Sequence, residues 1–89
     1  MATMFIRHTI SDYKAWRKVY DDFAPVQKAK GVTAQAVYQA ADNPNDITVT
    51  HEFGSVAAAQ AFVKGDELKK AMQKAGVVGA STIWLANKV

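Results

Sequence analysis

The sequence predicts an α+β domain in which strands and helices follow in the order β-α-β-β-α-β. Residues 46–53 alternate strictly between apolar and other side chains, which is typical of a strand. Residues 13–26 and 56–75 carry apolar side chains at steps of three and four, the period of an amphipathic helix. The cluster Asp42-Asn43-Pro44-Asn45-Asp46 consists of turn-forming residues and predicts a hairpin between the second and third strands.

The strand at residues 46–53 is predicted to lie in the centre of the sheet. Its alternate residues divide into two rows, Ile47, Val49, His51 and Phe53 against Thr48, Thr50 and Glu52. A strand with one face in water usually carries lysine, serine or asparagine opposite its apolar row. The β-branched threonines found here suit a second face that is also at least partly covered.

The first half of the chain is predicted to form a strand, a helix and a second strand. The first strand covers Ala2–Ile10, and Ser11 is predicted to cap the helix that follows. Pro25 should kink or break this helix, and the second strand covers residues 32–41. The predicted buried stripe of the helix consists of Tyr13, Trp16, Val19, Tyr20, Phe23 and Val26.

The second half is predicted to form the hairpin partner, a second helix and a last strand. Ser55 should cap the helix, Gly65 should interrupt it, and Asp66 should cap a further helical segment. The last strand is predicted at residues 81–86. The apolar side chains of the two helical segments are Val56, Ala59, Phe62, Val63, Leu68, Ala71, Met72 and Ala75.

This order of elements is that of the ferredoxin-like split βαβ unit. Helices should cover one face of an antiparallel-rich, four-stranded sheet, with strands one and three as parallel neighbours in its middle. The other face would then expose Phe5, Thr48 and Thr50, together with a charged pair. Because an apolar face of this kind is expected to be covered, we predict a homodimer packed sheet to sheet around a small barrel-like cavity.

Length and composition limit the function classes. The 89 residues predict one domain, 1–89, and the absence of cysteine excludes disulfides and thiolate metal sites. The net charge of +3 is dispersed along the chain, so no nucleic-acid surface is expected. Strand three also lacks the exposed aromatic side chains of an RNA-binding module. With no signal peptide and no apolar run of about 18 residues, a cytoplasmic protein that does not contact a membrane is expected.

Two pairs of polar side chains are candidates for chemistry. His8 and His51 share the helix side of neighbouring strands, where they could approach each other as a proton-transfer pair or serve as buried structural histidines. Arg7 and Glu52 share the opposite face. They could be a substrate-orienting arginine with a general acid or base, or a structural ion pair.

Aromatic side chains complete the predicted site. Tyr38 and Trp84 are candidate walls of the same cavity as Arg7, although aromatic residues more often belong to a core. Two histidines without further ligands make a poor zinc site, so no metal is expected. The sequence contains no glycine-rich phosphate loop, and no cofactor is expected.

Three segments resemble the dimeric α/β-barrel superfamily: residues 12–20 at the start of helix one, the turn at residues 42–46, and residues 71–79 before the last strand. Within it, the chain resembles small proteins related to antibiotic-biosynthesis monooxygenases, often labelled cyclase-like. Glu52 matches a glutamate of their motif. Their helix two commonly carries histidines where this chain has Phe62 and Glu67, which argues against both oxygenase and haem chemistry.

The resemblance implies a homodimer and leaves two function classes open. One is a small cofactor-independent monooxygenase- or cyclase-like enzyme that acts on an aromatic or polyketide-like substrate in a sheet-face cavity. The other is a non-catalytic protein that binds a small apolar or aromatic ligand. An enzyme needs a titratable group within reach of the ligand, whereas a binding protein needs only shape and an apolar wall.

Overall fold

The computed structural model describes residues 2–89, which form one four-stranded sheet with four helices against one face. This arrangement confirms the predicted ferredoxin-like fold class. The elements in chain order are β1 (Ala2–Ile10), α1 (Tyr13–Asp22), α2 (Ala24–Ala29), β2 (Val32–Ala40), β3 (Asn43–Phe53), α3 (Val56–Lys64), α4 (Asp66–Lys74) and β4 (Val77–Asn87).

The strands lie in the order β2-β3-β1-β4, and every neighbouring pair is antiparallel. The prediction that strands one and three are parallel is therefore wrong. The helical crossover gives β1 and β2 the same direction, and the hairpin reverses β3 relative to β2. Since β3 lies between them, it is antiparallel to both.

The start of α1 differs from the prediction by one residue. Asp12 is the cap, and its carboxylate accepts a hydrogen bond from the backbone N–H of Ala15 at 3.1 Å. Ser11 instead donates its backbone N–H to the carbonyl of Gly76 at 3.1 Å. This bond ties the end of β1 to the start of β4.

Both helical segments are broken into two short helices. Pro25 lies in the first turn of α2, directly after the break from α1. Ser55 caps α3 as predicted, and its hydroxyl accepts from the backbone N–H of Ala58 at 3.2 Å. Gly65, rather than Asp66, is the cap residue of α4, and Asp66 lies in the first turn, where the helix dipole favours a negative charge.

Two strands are longer than predicted. The strand β3 already begins at Asn43, so the turn of the hairpin is reduced to residues 41–42. The strand β4 begins at Val77, and its register against β1 shifts between Arg7 and Thr9. Gly79 lies in this irregular stretch with φ of 75°, a backbone conformation that glycine adopts without strain.

The core fills the space between the helices and the sheet. Every second residue of β1 and β3 points into it, as the alternating pattern of β3 predicts. The largest contributors are Met4, Ile6, Ile10, Ile47, Val49 and Phe53 from the sheet and Trp16, Tyr20, Phe62 and Leu68 from the helices. The opposite, open face of the sheet has no covering element among residues 2–89.

Candidate functional site

A cavity of about 40 Å³ lies inside the core, between the helices and the helix side of the sheet. Its walls come from β1 and β3 on one side and from α1, α2 and α4 on the other. The lining is apolar except for the polar groups of five side chains, which are the indole of Trp16 and those of His8, Tyr20, Gln27 and His51. The cavity therefore combines an apolar wall with a few convergent polar groups, as ligand sites do.

His51 is the most completely buried polar side chain of this group, with 1% of its surface exposed. Its Nε2 lies 3.1 Å from the hydroxyl oxygen of Tyr20 on α1. The same hydroxyl donates to the side-chain carbonyl oxygen of Gln35, which stands opposite His51 on β2. The edge of the imidazole also meets Phe62, with ring centroids 5.6 Å apart.

His8 enters the same cavity from β1. Its ring meets Trp16 at an angle of 69°, with centroids 5.9 Å apart. The predicted helix-side placement of both histidines agrees with the structure. A direct pair is not formed, because His51 stands opposite Met4 and is separated from His8 by four residues, or about 13 Å, along the strands.

Four nitrogen atoms at the cavity are buried and have no hydrogen-bond partner within residues 2–89. They are both ring nitrogens of His8, Nε2 of Gln27 and Nδ1 of His51. A buried polar group without a partner costs about 1–3 kcal/mol. Groups of this kind require a partner from outside the described chain, either ordered water or a bound molecule.

Burial keeps the titratable groups of the cavity neutral near pH 7. It lowers the pKa of His51 to about 4, and it lowers the pKa of His8 against the opposing effect of Asp46. It also raises the pKa of Tyr20 to about 12, so the phenol keeps its proton. Neutral imidazoles offer a lone pair to a hydrogen-bond donor.

The open face carries the remaining aromatic candidates. Phe5 stands opposite Trp84, and their rings stack with centroids 5.2 Å apart at an angle of 7°. Tyr38 stands opposite Thr48, which in turn stands opposite Arg7. Tyr38 is 57% exposed and Trp84 is 44% exposed. Both therefore share the open face with Arg7 and lie away from the histidines.

The expected ion pair between Arg7 and Glu52 is wrong. Arg7 binds Asp46 with two hydrogen bonds, Nη2 to Oδ2 at 2.7 Å and Nε to Oδ1 at 3.1 Å. The register explains this, since Glu52 stands opposite Thr3, four residues from Arg7 along β1. The Arg7 guanidinium lowers the pKa of the Asp46 carboxyl. A catalytic role for Glu52 stays a prediction, without Arg7 as its partner.

The polar groups of Tyr20, Gln27 and Gln35 were missed as site residues. Tyr20 was assigned to packing because it lies on the helical stripe, and its ring does stack on Trp16 with centroids 4.9 Å apart. The available signal was chemical: a hydroxyl on a buried stripe needs a partner. Gln27 lies on α2, beyond the break from α1, and its side chain is also buried.

Residues 2–89 contain neither a group of side chains arranged as metal ligands nor a membrane-spanning helix. Among these residues, no three histidine, aspartate or glutamate side chains are grouped as metal ligands would be. The helices found there are too short or too polar to cross a membrane.

The fold is that of the antibiotic biosynthesis monooxygenases. One solved structure described by that name has 15% sequence identity and a TM-score of 0.72, with 100% of this chain and 99% of that chain covered. The likeness confirms at the level of fold the resemblance found in the sequence. The sequence itself matches no protein-family model and no curated protein.

Two further structures share the fold. SnoaB, a cofactor-independent oxygenase from Streptomyces nogalater, has 12% identity and a TM-score of 0.74 over 99% of this chain and 94% of that chain. A conserved protein from Methanosarcina mazei has 14% identity and a TM-score of 0.78, with 100% and 94% covered. At such identities the likeness concerns the fold and assigns no activity.

Proposed function

We propose that the chain is a small enzyme of the cofactor-independent oxygenase type that acts on a phenolic aromatic molecule in the helix-side cavity. The observation that carries the proposal is the buried His51, whose Nδ1 has no partner within residues 2–89 and whose side chain lines the helix-side cavity. The shared fold with SnoaB supports it. The proposed site lies on the helix side of the sheet, whereas the sequence predicted a site on the open face.

In this proposal His51 accepts the proton of the ligand hydroxyl. The electron-rich phenolate then reduces dissolved O₂, and in the overall reaction a phenol and O₂ give a quinone and water. The apolar wall binds the ring and keeps bulk water from the intermediate. Trp16 and Tyr20, which stack at one end of the cavity, would support the face of the aromatic ligand.

The low basicity of His51 is compatible with turnover. Transfer of a proton from a phenol with a pKa of about 10 to an imidazole with a pKa of about 4 is uphill by roughly 8 kcal/mol. One turnover per second requires a barrier of about 17 kcal/mol. The proton transfer therefore accounts for about half of the allowed barrier. Any stabilisation of the resulting ion pair in the cavity lowers the free energy of this transfer.

The ligand needs more room than the cavity offers in this structure. A volume of about 40 Å³ is well below the roughly 150 Å³ that holds a benzene ring. A groove of about 280 Å³ lies outside, between α1, α2 and α4, and shares Val19, Phe23 and Ala71 with the cavity wall. These three side chains separate the two volumes, so we expect the ligand to enter where they part.

The first test measures oxygen uptake with 1-naphthol as the probe. His51→Gln, which keeps side-chain polarity but removes the base, should lower the turnover rate by about 10²–10⁴-fold. Thr50→Val changes the neighbouring residue on the opposite side of β3 and serves as the matched control. Unchanged uptake in His51→Gln would contradict the assignment, and loss of uptake in Glu52→Gln instead would move the site to the open face.

A binding protein without catalysis is the second candidate. The specific observation in its favour is that an imidazole with a pKa of about 4 is a weak base but still a hydrogen-bond acceptor. The same probe separates the two functions. Saturable binding of 1-naphthol without oxygen uptake would favour the binding protein, and loss of that binding in His51→Gln would place the ligand in the same cavity.

We also propose that two copies of the chain pack with their open sheet faces together. The exposed Phe5, Trp84 and Tyr38 lie on that face, and a second copy would remove them from water. Phe5→Asp should convert a dimer into a monomer in light scattering at micromolar concentration, and it should also destabilise the fold. Val56→Asp, at an exposed apolar residue of α3, is the control. A wild-type chain that is only monomeric would contradict this proposal.

A further inference from the structure

The hydrogen bonds around His51 determine which ring nitrogen carries its proton. The hydroxyl of Tyr20 has a single proton, and the carbonyl oxygen of Gln35 can only accept. The hydroxyl therefore donates to Gln35 and must accept from His51, whose Nε2 lies 3.1 Å away. An Nε2 that donates carries a proton, so in the neutral ring Nδ1 is free of one.

We propose that Tyr20 and Gln35 are positioning residues that hold His51, a residue of the cavity wall, in the Nε2–H tautomer and so leave its Nδ1 unprotonated as a hydrogen-bond acceptor. This inference rests on the proposed function, because it identifies what makes His51 able to receive a proton from a ligand hydroxyl. Neither Tyr20 nor Gln35 has to touch the reacting atoms. Their effect passes through the orientation and protonation of the imidazole ring.

Three elements meet to build this arrangement. Gln35 on β2 stands directly opposite His51 on β3, and the hydroxyl of Tyr20 on α1 contacts both side chains. The phenol ring of Tyr20 lies nearly parallel to the imidazole, with an interplanar angle of 20°. The edge contact with Phe62, at 83°, restricts the ring on another side. The imidazole is therefore fixed in both its plane and its hydrogen bond.

His8 provides an internal comparison within the same cavity. It is also buried and also neutral near pH 7, but neither of its ring nitrogens has a hydrogen-bond partner within residues 2–89. Nothing in the described chain selects one tautomer of His8. A difference between the two histidines would therefore report the effect of Tyr20 and Gln35 rather than the effect of burial.

The test is the ¹⁵N NMR spectrum of the ligand-free protein at pH 7.5, where the shifts of the two ring nitrogens identify the tautomer. Wild-type His51 should be almost entirely Nε2–H, and His8 should be a mixture. In Gln35→Leu the hydroxyl of Tyr20 loses its acceptor and becomes free to donate to His51. The tautomer should then change to Nδ1–H, which removes the free acceptor from the cavity.

Two variants guard against a general structural effect. Gln35→Glu keeps an acceptor for the hydroxyl and should restore the Nε2–H tautomer. Gln39→Leu changes another glutamine of β2, which binds the carbonyl of Pro44, and should leave His51 as in the wild type. If Gln35→Leu does not fold, Tyr20→Phe removes the hydroxyl while keeping the ring and should give a mixture of tautomers at His51.

A wild-type His51 in the Nδ1–H form, or a tautomer unchanged in both Gln35→Leu and Tyr20→Phe, would overturn the inference. Failure of the proposed function would look different, since 1-naphthol would then neither bind nor react while the tautomer remained as described. If 1-naphthol does bind, Gln35→Leu should weaken its affinity about tenfold, the effect of one lost hydrogen bond. Naphthalene, which has no hydroxyl, should bind both proteins equally.

Discussion

Replacing Trp16 with alanine is expected to lower the free energy of unfolding by about 3–5 kcal/mol. The indole is 2% exposed, stacks on Tyr20 and meets the edge of His8 with ring centroids 5.9 Å apart. Its removal would enlarge a cavity that already exists, so the neighbouring side chains have little to collapse onto. Urea unfolding followed by circular dichroism would measure the loss, which should lie near the upper end of the range.

Trp84→Ala is the matched control for this measurement. It deletes the same side chain from the open face, where the ring is 44% exposed and stacks on Phe5. In the monomer this should cost about 1 kcal/mol. Free indole should bind the cavity left in Trp16→Ala. At ten times its dissociation constant it should raise the free energy of unfolding of Trp16→Ala by about 1.4 kcal/mol and leave that of Trp84→Ala unchanged. A loss well under 1 kcal/mol at Trp16 would contradict its role as a wall of the core.

Acidification from pH 7.5 to pH 5 is expected to cost roughly 2 kcal/mol of folding free energy at His51 alone. Burial lowers its pKa from 6.5 to about 4, so at pH 5 the unfolded chain binds a proton that the folded chain mostly does not. The sign follows directly: stability from this group is complete above pH 6.5 and falls as the pH drops towards 4. His8, whose pKa burial also lowers, adds a loss in the same direction.

The contribution of His51 can be isolated by comparing pH slopes. In His51→Gln the free energy of unfolding should fall less steeply between pH 7 and pH 5 than in the wild type, whatever the stability of the variant itself. Stopping at pH 5 limits the contribution of carboxylates such as Asp46, whose pKa Arg7 lowers. Parallel slopes for the two proteins would show that His51 has the same pKa in the folded and the unfolded chain.

The fold could be predicted because its signals are local. Alternation along β3 and the three- and four-residue steps of α1 each specify one element and its buried side. The direction of β1 relative to β3 was wrong because the crossover rule applies to strands joined by helices, which here are β1 and β2. Side-chain alternation also identified which residues share a face, including His8 with His51 and Arg7 with Glu52.

Contacts along a strand could not be predicted from alternation. Arg7 binds Asp46 rather than Glu52 because the register of β3 against β1 places Glu52 at the far end of the pairing. That register depends on how the two strands pack against the rest of the core, which alternation along one strand does not specify. The roles of Tyr20 and Gln27 could not be predicted either. A helical stripe shows which side of a helix is buried, but not which groups the polar end of a side chain contacts.

The short length of α4 is expected to affect access to the cavity, because α4 forms part of its wall. Nine residues are too few for a stable isolated helix, so α4 depends on its contacts with the rest of the core, chiefly through Leu68. Because the backbone leaves helical geometry at Gly65, we expect α4 to detach without disturbing α3, at a cost of a few kcal/mol.

Molecules with α4 displaced would then form a minor population of about 0.1–10%. The apparent affinity for a ligand is reduced by that same fraction. Substitutions that loosen α4 without altering the cavity wall should therefore strengthen ligand binding while they weaken the fold. Selection for tight binding and selection for stability would act on this segment in opposite directions.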